Sequence, residues 1–221
     1  MKKNICIILA RKNSKRIKNK NIISFNNKPL IYWTLKHSLD CKIFSKIIVS
    51  SDSGKILKIA RKKSKRIILN LRPKNLSGSA TSSEKAIRYI INKYKINKGD
   101  YITLLQVTSP LRKVYHIKDM WKLVKKLNLN TLHSISNKKN KTLINKTHNF
   151  FPLKINKLKK RLGKFYLNGS IYMFKTSFFL KKNKLHEKSG NYYFINNRYS
   201  LDLDDFNDLY SYKYKIIIKK S

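Results

Sequence analysis

Short apolar runs alternate along this chain with segments of helical spacing, and this alternation constrains the fold more than any other feature. Strands that alternate with helices form a mostly parallel sheet with helices on both faces. The sequence therefore predicts an α/β protein with one domain over residues 1–221. The predicted strands are Asn4–Ala10, Lys46–Ser50, Arg66–Asn70, Tyr101–Gln106 and Gly169–Phe174, and the predicted helices are Pro29–Leu39, Gly54–Lys62, Ser83–Tyr94 and Val114–Leu127.

Polar loops leave three of the predicted strands at their carboxyl ends. They cover Arg11–Asn21, Leu71–Ser83 and Val107–Arg112. Open parallel sheets bind their ligands at the edge formed by these strand ends. The pattern thus predicts a ligand site at one edge of the sheet.

The first of these loops is basic and offers Arg11, Lys15 and Lys20 to an anion. A triphosphate carries roughly four negative charges, of which a bound divalent cation offsets two, so that fixed cations are needed beside the metal. The loop contains no glycine and is not a Walker loop. A solvated run of charges is the alternative interpretation.

Four of the ten carboxylates lie within seven residues, namely Asp202, Asp204, Asp205 and Asp208. Strand-like alternation would place Asp202 and Asp204 on one side of the backbone and the intervening leucines on the other. Two carboxylates on one face bind a hard cation such as Mg²⁺, or alternatively Mn²⁺, which usually implies phosphate groups. The alternative is that Asp204 and Asp205 cap a helix beginning near Phe206.

The net charge of +42 is distributed along the chain, and 43 of the 52 basic residues are Lys. Arg is the preferred reader of phosphates and of guanine, and the sequence has nine. Specific nucleic-acid binding is therefore not expected, although non-specific adhesion at low salt is. An apolar fraction of 41% favours a globular protein over a disordered basic chain.

Cysteine usage and apolar run length point to a cytoplasmic protein. Cys6 lies in an apolar strand, and with Cys41 as the other cysteine a buried free thiol in a reducing compartment is expected. The N-terminal apolar run Ile5–Ala10 is six residues long, and no longer apolar run follows. Neither a signal peptide nor a membrane span is expected from such runs.

The alternation of strands and helices fails over residues 137–164. This stretch is rich in Lys and Asn and carries Phe150-Phe151-Pro152 at its centre. It is too long for an ordinary connection, so it is either functional or a mobile insertion. The aromatic pair favours docking, and a second subunit is the predicted surface.

Five short motifs occur along the chain in an order that carries a resemblance. They are Leu9–Lys15 with Lys20-Asn21 and Lys28-Pro29-Leu30, Leu71-Arg72-Pro73 with Thr81-Ser82-Ser83, Leu104–Arg112, Asn168-Gly169-Ser170-Ile171-Tyr172, and Ser200–Asp208. Together they resemble the motifs of the acylneuraminate cytidylyltransferases, or CMP-sialic acid synthetases. The resemblance covers essentially the whole chain, and it implies a Rossmann-like nucleotide-diphospho-sugar transferase fold with a dimerisation arm at 137–164.

The resemblance implies a reaction in which CTP and a nine-carbon α-keto acid sugar, such as N-acetylneuraminic acid, give a CMP-sugar and pyrophosphate. The anomeric hydroxyl attacks the α-phosphorus in line. The resemblance implies that Asp202 and Asp204 hold Mg²⁺, which polarises the α-phosphate. Arg11 and Lys20 stabilise the triphosphate and the departing pyrophosphate, and Asn21 positions the nucleotide.

The same resemblance assigns the base and sugar contacts. Arg72 and Ser83, with backbone near Thr81, would read the cytosine edge. Gln106 would contact the sugar. Lys141 matches a lysine that the family inserts from the partner subunit, so that the 137–164 arm would make a homodimer and complete the neighbouring site.

One departure from the family pattern concerns the carboxylate of the sugar. The family often places an arginine just before the Asn-Gly pair, whereas here Phe165-Tyr166-Leu167 precedes the sugar-binding Asn168. A bidentate clamp on a carboxylate needs a guanidinium. Lys159, Lys160 and Arg161 in the arm are the candidates to replace it.

Two further departures lie in the first loop and the turn after it. Arg16 and Lys18 stand where Gly and Pro are common, so the loop is expected to be more charged and less rigid. Asn27 replaces a common Gly, and because Asn tolerates a positive φ, a turn at Asn26-Asn27 is expected to persist.

Alternatives remain open within and outside this family. Legionaminic, pseudaminic and 3-deoxy-octulosonate enzymes are related possibilities for the sugar. A basic nucleic-acid-binding protein that kept the fold and lost catalysis is the alternative of a different class.

Overall fold

An eight-stranded mixed sheet organises the residues that the computed structural model describes, which are 2–14, 16–78, 81–137, 150–151, 165–185, 190–210 and 212. The strands are β1 (Asn4–Leu9), β2 (Ser24–Phe25), β3 (Lys28–Pro29), β4 (Lys46–Ser51), β5 (Ile67–Leu71), β6 (Tyr101–Leu105), β7 (Thr131–Asn137), β8 (Phe150–Phe151), β9 (Phe165–Lys175) and β10 (Asn191–Phe194). The helices are α1 (Leu30–Asp40), α2 (Gly54–Lys63), α3 (Ser83–Lys93), α4 (Val114–Lys126) and α5 (Thr176–Lys182). Strands β2 and β3 form a separate hairpin.

The strand order β5-β4-β1-β6-β9-β7-β10-β8 is that of a mostly parallel sheet. Strands β8 and β9 run antiparallel to their neighbours, and the other six share one direction. From β1 the chain first builds outward through β4 and β5 and then continues on the other side with β6. The order therefore reverses between β1 and β6, and such a switch point is where open α/β sheets bind ligands.

Helices cover both faces of the sheet, as the sequence predicts. On one face, α1, α2 and α4 pack against alternate strand residues such as Cys6 and Ile8. On the other face, α3 and α5 pack against Ile5 and Ile7 of the same strand. Alternation along a strand buried on both sides explains its continuous apolar composition.

Both cysteines are buried free thiols, in agreement with the prediction for Cys6. Burial raises the pKa of both, that of Cys41 to about 11. The neutral thiol is therefore the stable form of each at neutral pH.

Eight of the nine predicted elements agree with the structure to within one residue at each end. The ninth, predicted to begin at Gly169, is β9, which begins four residues earlier at Phe165. Helix α5, strands β7 and β10 and the two-residue strands β2, β3 and β8 were not predicted. Strand β7 has Thr, His, two Ser and Asn among its seven residues, all of them buried, so it presents no apolar run to recognise.

The β2–β3 hairpin has the turn expected from its sequence. Asn26 and Asn27 have φ values of 48° and 59°. Two successive residues at positive φ are typical of a tight two-residue hairpin, and Asn accepts this conformation better than most residues. The hairpin also contacts Tyr212, whose ring centroid lies 4.7 Å from that of Phe25.

Most of the predicted arm over 137–164, including Lys141 and Arg161, lies outside the described residues. Phe150 and Phe151 form β8, which pairs antiparallel with β10 at the sheet edge. The backbone of this aromatic pair therefore pairs with the sheet of its own chain, and docking of the arm onto a second subunit stays a prediction. Within the described part of the chain, no helix has the length and apolar character needed to cross a membrane.

Candidate active site

Loops that follow four parallel strands meet the middle of one antiparallel strand at the carboxyl edge of the sheet. Arg11, Asp52, Arg72 and Gln106 follow β1, β4, β5 and β6 respectively. The antiparallel β9 crosses the same edge in mid-strand, where the Gln106 N–H donates to the Ser170 carbonyl at 3.4 Å. The edge predicted from the loops alone is thus the edge at which the structure gathers them.

A bulge in β9 shapes this edge. The pairing of β7 with β9 jumps from His133↔Tyr172 to Ile135↔Leu167, so that extra residues of β9 loop out between the two pairs. The Asn168 side chain is 1% exposed and lies inside the bulge. Its Oδ1 accepts from Ser134 Oγ at 2.6 Å, and its Nδ2 donates to Ser136 Oγ at 2.8 Å. These bonds give Asn168 the geometry of a residue that fixes the bulge.

Gly169, the next residue of the bulge, leaves space for the carboxylate of Asp202. Gly169 has a φ of +70°, and a Cβ at this position would lie 3.3 Å from Asp202 Oδ2. A side chain here would be strained by its backbone conformation and would also crowd the carboxylate. Only the smallest residue allows both the bulge and the approach of Asp202.

Asp202 is held in a partly desolvated position. The Leu203 N–H donates to the Thr108 carbonyl at 2.8 Å, which anchors the acidic segment beside the loop after β6. Thr108 also hydrogen-bonds to the Asp202 carboxylate. The buried Asp202 Oδ1 has no hydrogen-bond partner among the described residues. Burial, reinforced by the negative charge of Asp204, raises the pKa of Asp202.

Asp204 carries a basic side chain on each of its oxygens. Lys20 Nζ lies 2.9 Å from Oδ1, and Arg16 Nη2 lies 3.0 Å from Oδ2. The Lys20 side chain is 13% exposed and that of Arg16 is 61% exposed. Burial acts to raise the pKa of Asp204, but the hydrogen bonds and charges of Lys20 and Arg16 outweigh it and lower the pKa.

The remaining two acids of the cluster cap the helix that starts at residue 206. Asp205 Oδ1 accepts from the Asp208 N–H at 3.1 Å, and Asp208 Oδ2 accepts from the N–H groups of Asp204 and Asp205 at 2.8 and 3.0 Å. This reciprocal arrangement is a capping box. The cluster thus divides into two roles, since Asp205 and Asp208 cap the helix while the carboxylates of Asp202 and Asp204 remain at the site.

The basic first loop is fastened at both ends. The Lys12 N–H donates to Asp52 Oδ1 at 2.7 Å, and Asn21 Nδ2 donates to the Arg11 carbonyl at 2.8 Å. Asn21 is 7% exposed, so the structure gives its side chain the task of holding the loop backbone. The structure thus makes Asp52 the anchor of this loop.

Arg72 is buried beside the loop and fixed by Ser50. Its Nε donates to Ser50 Oγ at 3.2 Å and its Nη2 to the Ser50 carbonyl at 2.9 Å. Burial lowers the pKa of Arg72, the charge of Asp52 raises it, and the charge of Arg11 lowers it again. Arg11, Asp52 and Arg72 therefore form one electrostatic neighbourhood.

The segment that follows Arg72 leads into α3. The Thr81 N–H donates to the Gly78 carbonyl at 3.0 Å, and Ser82 Oγ caps the helix by accepting from the Lys85 N–H at 3.4 Å. Thr81 and Ser83 are partly buried on either side of this cap. They stand at a helix N-terminus, where N–H groups are available to polar ligands.

Sequence reasoning missed the role of Arg112, which is fully buried behind the site. Its Nη1 donates to the Ser170 carbonyl at 2.5 Å, and its Nη2 donates to Thr34 Oγ1 and to the Gln106 carbonyl. Burial lowers the pKa of Arg112 to about 9. Its position as the last residue of the Leu104–Arg112 motif is the sequence signal that could have identified it. Its hydrogen bonds join the end of β6 to the bulge of β9.

The carboxylates of Asp202 and Asp204 fit a magnesium site of the kind completed by substrate. Mg²⁺ is usually bound through one or two carboxylates together with phosphate oxygens and water. The orphaned Oδ1 of Asp202 is an oxygen of the required type. Within the described ranges, no group of three or more His, Cys, Asp or Glu side chains is arranged for a metal. Lys15 lies outside the described residues.

Two solved cytidylyl-transfer structures share this fold. CMP:2-keto-3-deoxy-manno-octonic acid synthetase complexed with CTP has a TM-score of 0.68 and 13% identity, with 98% of this chain and 99% of that chain covered. 4-Diphosphocytidyl-2C-methyl-D-erythritol synthase has a TM-score of 0.66 and 10% identity, with 95% and 96% covered. At these identities the likeness establishes the fold.

Curated relatives are similar in sequence. A pseudaminic acid cytidylyltransferase of Campylobacter jejuni is 40% identical over 111 residues, which cover 49% of this chain and 47% of that protein. An N-acylneuraminate cytidylyltransferase of Escherichia coli is 30% identical over 211 residues, which cover 91% of this chain and 49% of that protein. The chain thus spans about half the length of these relatives. The family model described as "Cytidylyltransferase" matches residues 5–208, and the chain belongs to that family.

Proposed function

We propose that this protein couples CTP to N-acetylneuraminic acid or a related nonulosonic acid, forming a CMP-sugar and pyrophosphate. The observation that carries the proposal is the pair Asp202 and Asp204, held beside Lys20 at the switch point of the sheet. Membership of the cytidylyltransferase family supports cytidylyl transfer. The relatives named for pseudaminic acid and for N-acylneuraminate support a nonulosonic acid as the acceptor.

In this proposal, Asp202 and Asp204 hold Mg²⁺, with Mn²⁺ as the alternative. When bound, the metal supplies polarisation of the α-phosphate. Thr108 and Gly169 position the Asp202 carboxylate for this task, the first by a hydrogen bond and the second by leaving space. The raised pKa of Asp202 means that its proton is released at a higher pH than is usual for Asp.

Basic side chains of the first loop bind the triphosphate. Lys20 is already at the site and mostly buried, which favours a direct contact with the phosphates. Arg11 and Lys15 add positive charge for the departing pyrophosphate. Asn21 contributes by holding the backbone at Arg11, which orients the loop toward the nucleotide.

The base and the sugar occupy opposite sides of the first loop in this arrangement. Arg72, fixed by Ser50, reads the cytosine edge together with Thr81 and Ser83. Its preset guanidinium loses little conformational entropy when it binds. Gln106 contacts the sugar on the side of β6.

The contacts to the sugar carboxylate are assigned to the arm. Lys141 and Arg161 contact the sugar in the proposal, and the 137–164 segment makes the homodimer that brings Lys141 into the neighbouring site. Asn168 acts on the sugar side as well, and its buried hydrogen bonds favour a role in holding the bulge there.

The test is pyrophosphate release from CTP and Mg²⁺ with a panel that includes N-acetylneuraminic, legionaminic, pseudaminic and 3-deoxy-octulosonic acids. We expect release with at least one nonulosonic acid and its loss in Asp204→Asn. Release that persists in both Asp202→Asn and Asp204→Asn would overturn the metal assignment. Binding of nucleic acid without any nucleotide preference would instead support the non-catalytic alternative.

A further inference from the structure

Arg16 has a position that the proposed reaction does not yet explain. It replaces a residue that is commonly Gly in the first loop, yet its Nη2 lies 3.0 Å from Asp204 Oδ2 across 188 positions of sequence. Lys20 occupies the other oxygen at 2.9 Å. Asp204 therefore has a basic side chain on each of its two oxygens.

A divalent cation that binds Asp204 must compete with the positive charges of both ion pairs. Displacement of one basic side chain would relieve this competition, and the exposure of the two side chains indicates which is displaced more easily. The Arg16 side chain is 61% exposed, whereas that of Lys20 is 13% exposed. Exposed ion pairs are weak, while the release of a mostly buried amine costs more. Arg16 is therefore the side chain that gives way.

A guanidinium released at this edge has an obvious new partner. It belongs to the loop whose other basic residues face the proposed triphosphate, and guanidinium groups bind phosphate oxygens in bidentate fashion. Once a metal neutralises the charge of Asp204, a phosphate group of the nucleotide thus replaces this carboxylate as the anionic partner of Arg16. Metal and nucleotide would then each favour the binding of the other.

We infer that Arg16 couples metal binding to nucleotide binding: it covers Asp204 in the ligand-free protein and transfers to a phosphate group of the metal-bound nucleotide. This inference rests on the proposed function and adds a further nucleotide-binding residue to it. A divalent cation alone binds weakly, because it competes with Arg16. In the presence of the nucleotide, the same cation binds more tightly.

The first test measures Mn²⁺ binding without nucleotide, by electron paramagnetic resonance of the free ion, in the wild type, Arg16→Ala and Arg61→Ala. Arg61 is an exposed arginine in the last turn of α2 whose Nη1 donates to the Lys65 carbonyl, so its removal changes the net charge equally without touching a carboxylate. Removal of the competing charge should strengthen Mn²⁺ binding about three- to tenfold in Arg16→Ala. Arg61→Ala should match the wild type. Equal affinities in all three proteins would overturn the inference.

The second test measures CTP binding in the presence of Mg²⁺ by calorimetry. Arg16→Ala should weaken CTP about three- to tenfold, and Arg16→Lys should restore part of the loss. Unchanged CTP affinity in Arg16→Ala would overturn the transfer to phosphate. If the wild type itself fails to bind CTP with Mg²⁺, the proposed function fails, and that result is distinct from both Arg16 outcomes.

Discussion

At the scale of single residues, two neighbouring carboxylates have opposite electrostatic environments. Asp202 is partly desolvated and has a raised pKa, whereas Asp204 is paired with Lys20 and Arg16 and has a lowered pKa. A raised carboxyl pKa means that the charged form is disfavoured in the folded protein, so that the stability due to this group is full below its unfolded pKa and is lost as the pH rises through the folded value. For Asp204 the sign is reversed: its contribution to the stability of the protein is lost as the pH falls through its pKa in the folded state.

Amide substitutions should therefore affect stability in opposite directions. At pH 7, Asp202→Asn should raise the free energy of unfolding because it removes a disfavoured charge. Asp204→Asn should lower it by about 1 kcal/mol or less, because its ion pairs are substantially exposed. Urea unfolding of both variants at pH 7 measures this, and both should lack pyrophosphate release. A destabilised Asp202→Asn would contradict the assignment of strain to its charge.

Gly169 provides a second test at the residue scale. Gly169→Ala should destabilise the protein by about 1–2 kcal/mol, because a φ of +70° is costly for alanine and its Cβ would lie 3.3 Å from Asp202 Oδ2. In a protein of this size the melting temperature should fall by about 2–8 °C. Gly99→Ala is the matched control, since a Cβ there meets nothing within 4 Å. Equal melting temperatures for the two variants would refute the argument.

At the scale of elements, the pairing of β7 with β9 determines the shape of the site. The two serines of β7, Ser134 and Ser136, are buried and form hydrogen bonds with the bulge of β9. Ser134 accepts from the Ile171 N–H at 2.9 Å and donates to Asn168. Leu132 and Ile135 of the same strand are fully buried apolar residues. One strand thus serves both the core and the site.

Loss of one hydroxyl should show this double role. Ser134→Ala would remove one of the two hydrogen bonds that Asn168 Oδ1 accepts, the other being from the Ser170 N–H, and also the acceptor of the Ile171 N–H. The expected cost is about 1–3 kcal/mol in the free energy of unfolding. The matched control is Ser38→Ala, where the buried hydroxyl donates to the carbonyl of Leu35 within α1. Chemical denaturation should give Ser134→Ala a clearly lower free energy of unfolding than Ser38→Ala. The reverse order would show that the bulge does not depend on this hydroxyl.

At the scale of the whole molecule, the charge of +42 opposes compact folding. Within the described residues the three ion pairs use the carboxylates of Asp204 and Asp40, so most lysines there have no carboxylate beside them. Salt screens repulsion between exposed charges over a Debye length of about 10 Å at 0.1 M. The melting temperature should therefore rise between 0.05 and 0.5 M NaCl. A fall in melting temperature would mean that ion pairs dominate over self-repulsion.

The sequence alone determined the elements that depend on local patterns. Periodicity placed eight elements to within one residue, and the polar loops after the strands indicated the correct edge of the sheet. Asn26 and Asn27 indicated their own turn. Such features are visible because side-chain period and backbone preference act between neighbours in the chain.

Only the tertiary structure decided how these elements come together. The direction of β9 and its bulge, the salt bridge between Arg16 and Asp204, and the division of the acidic cluster into capping and site residues all depend on groups brought together by packing. Packing also brings Asp52 to the backbone of the first loop and the buried Arg112 to the bulge of β9, and neither contact can be read from the sequence around these residues. Local patterns specify which face of an element is apolar, but register, desolvation and charge pairing are fixed by residues far apart along the chain.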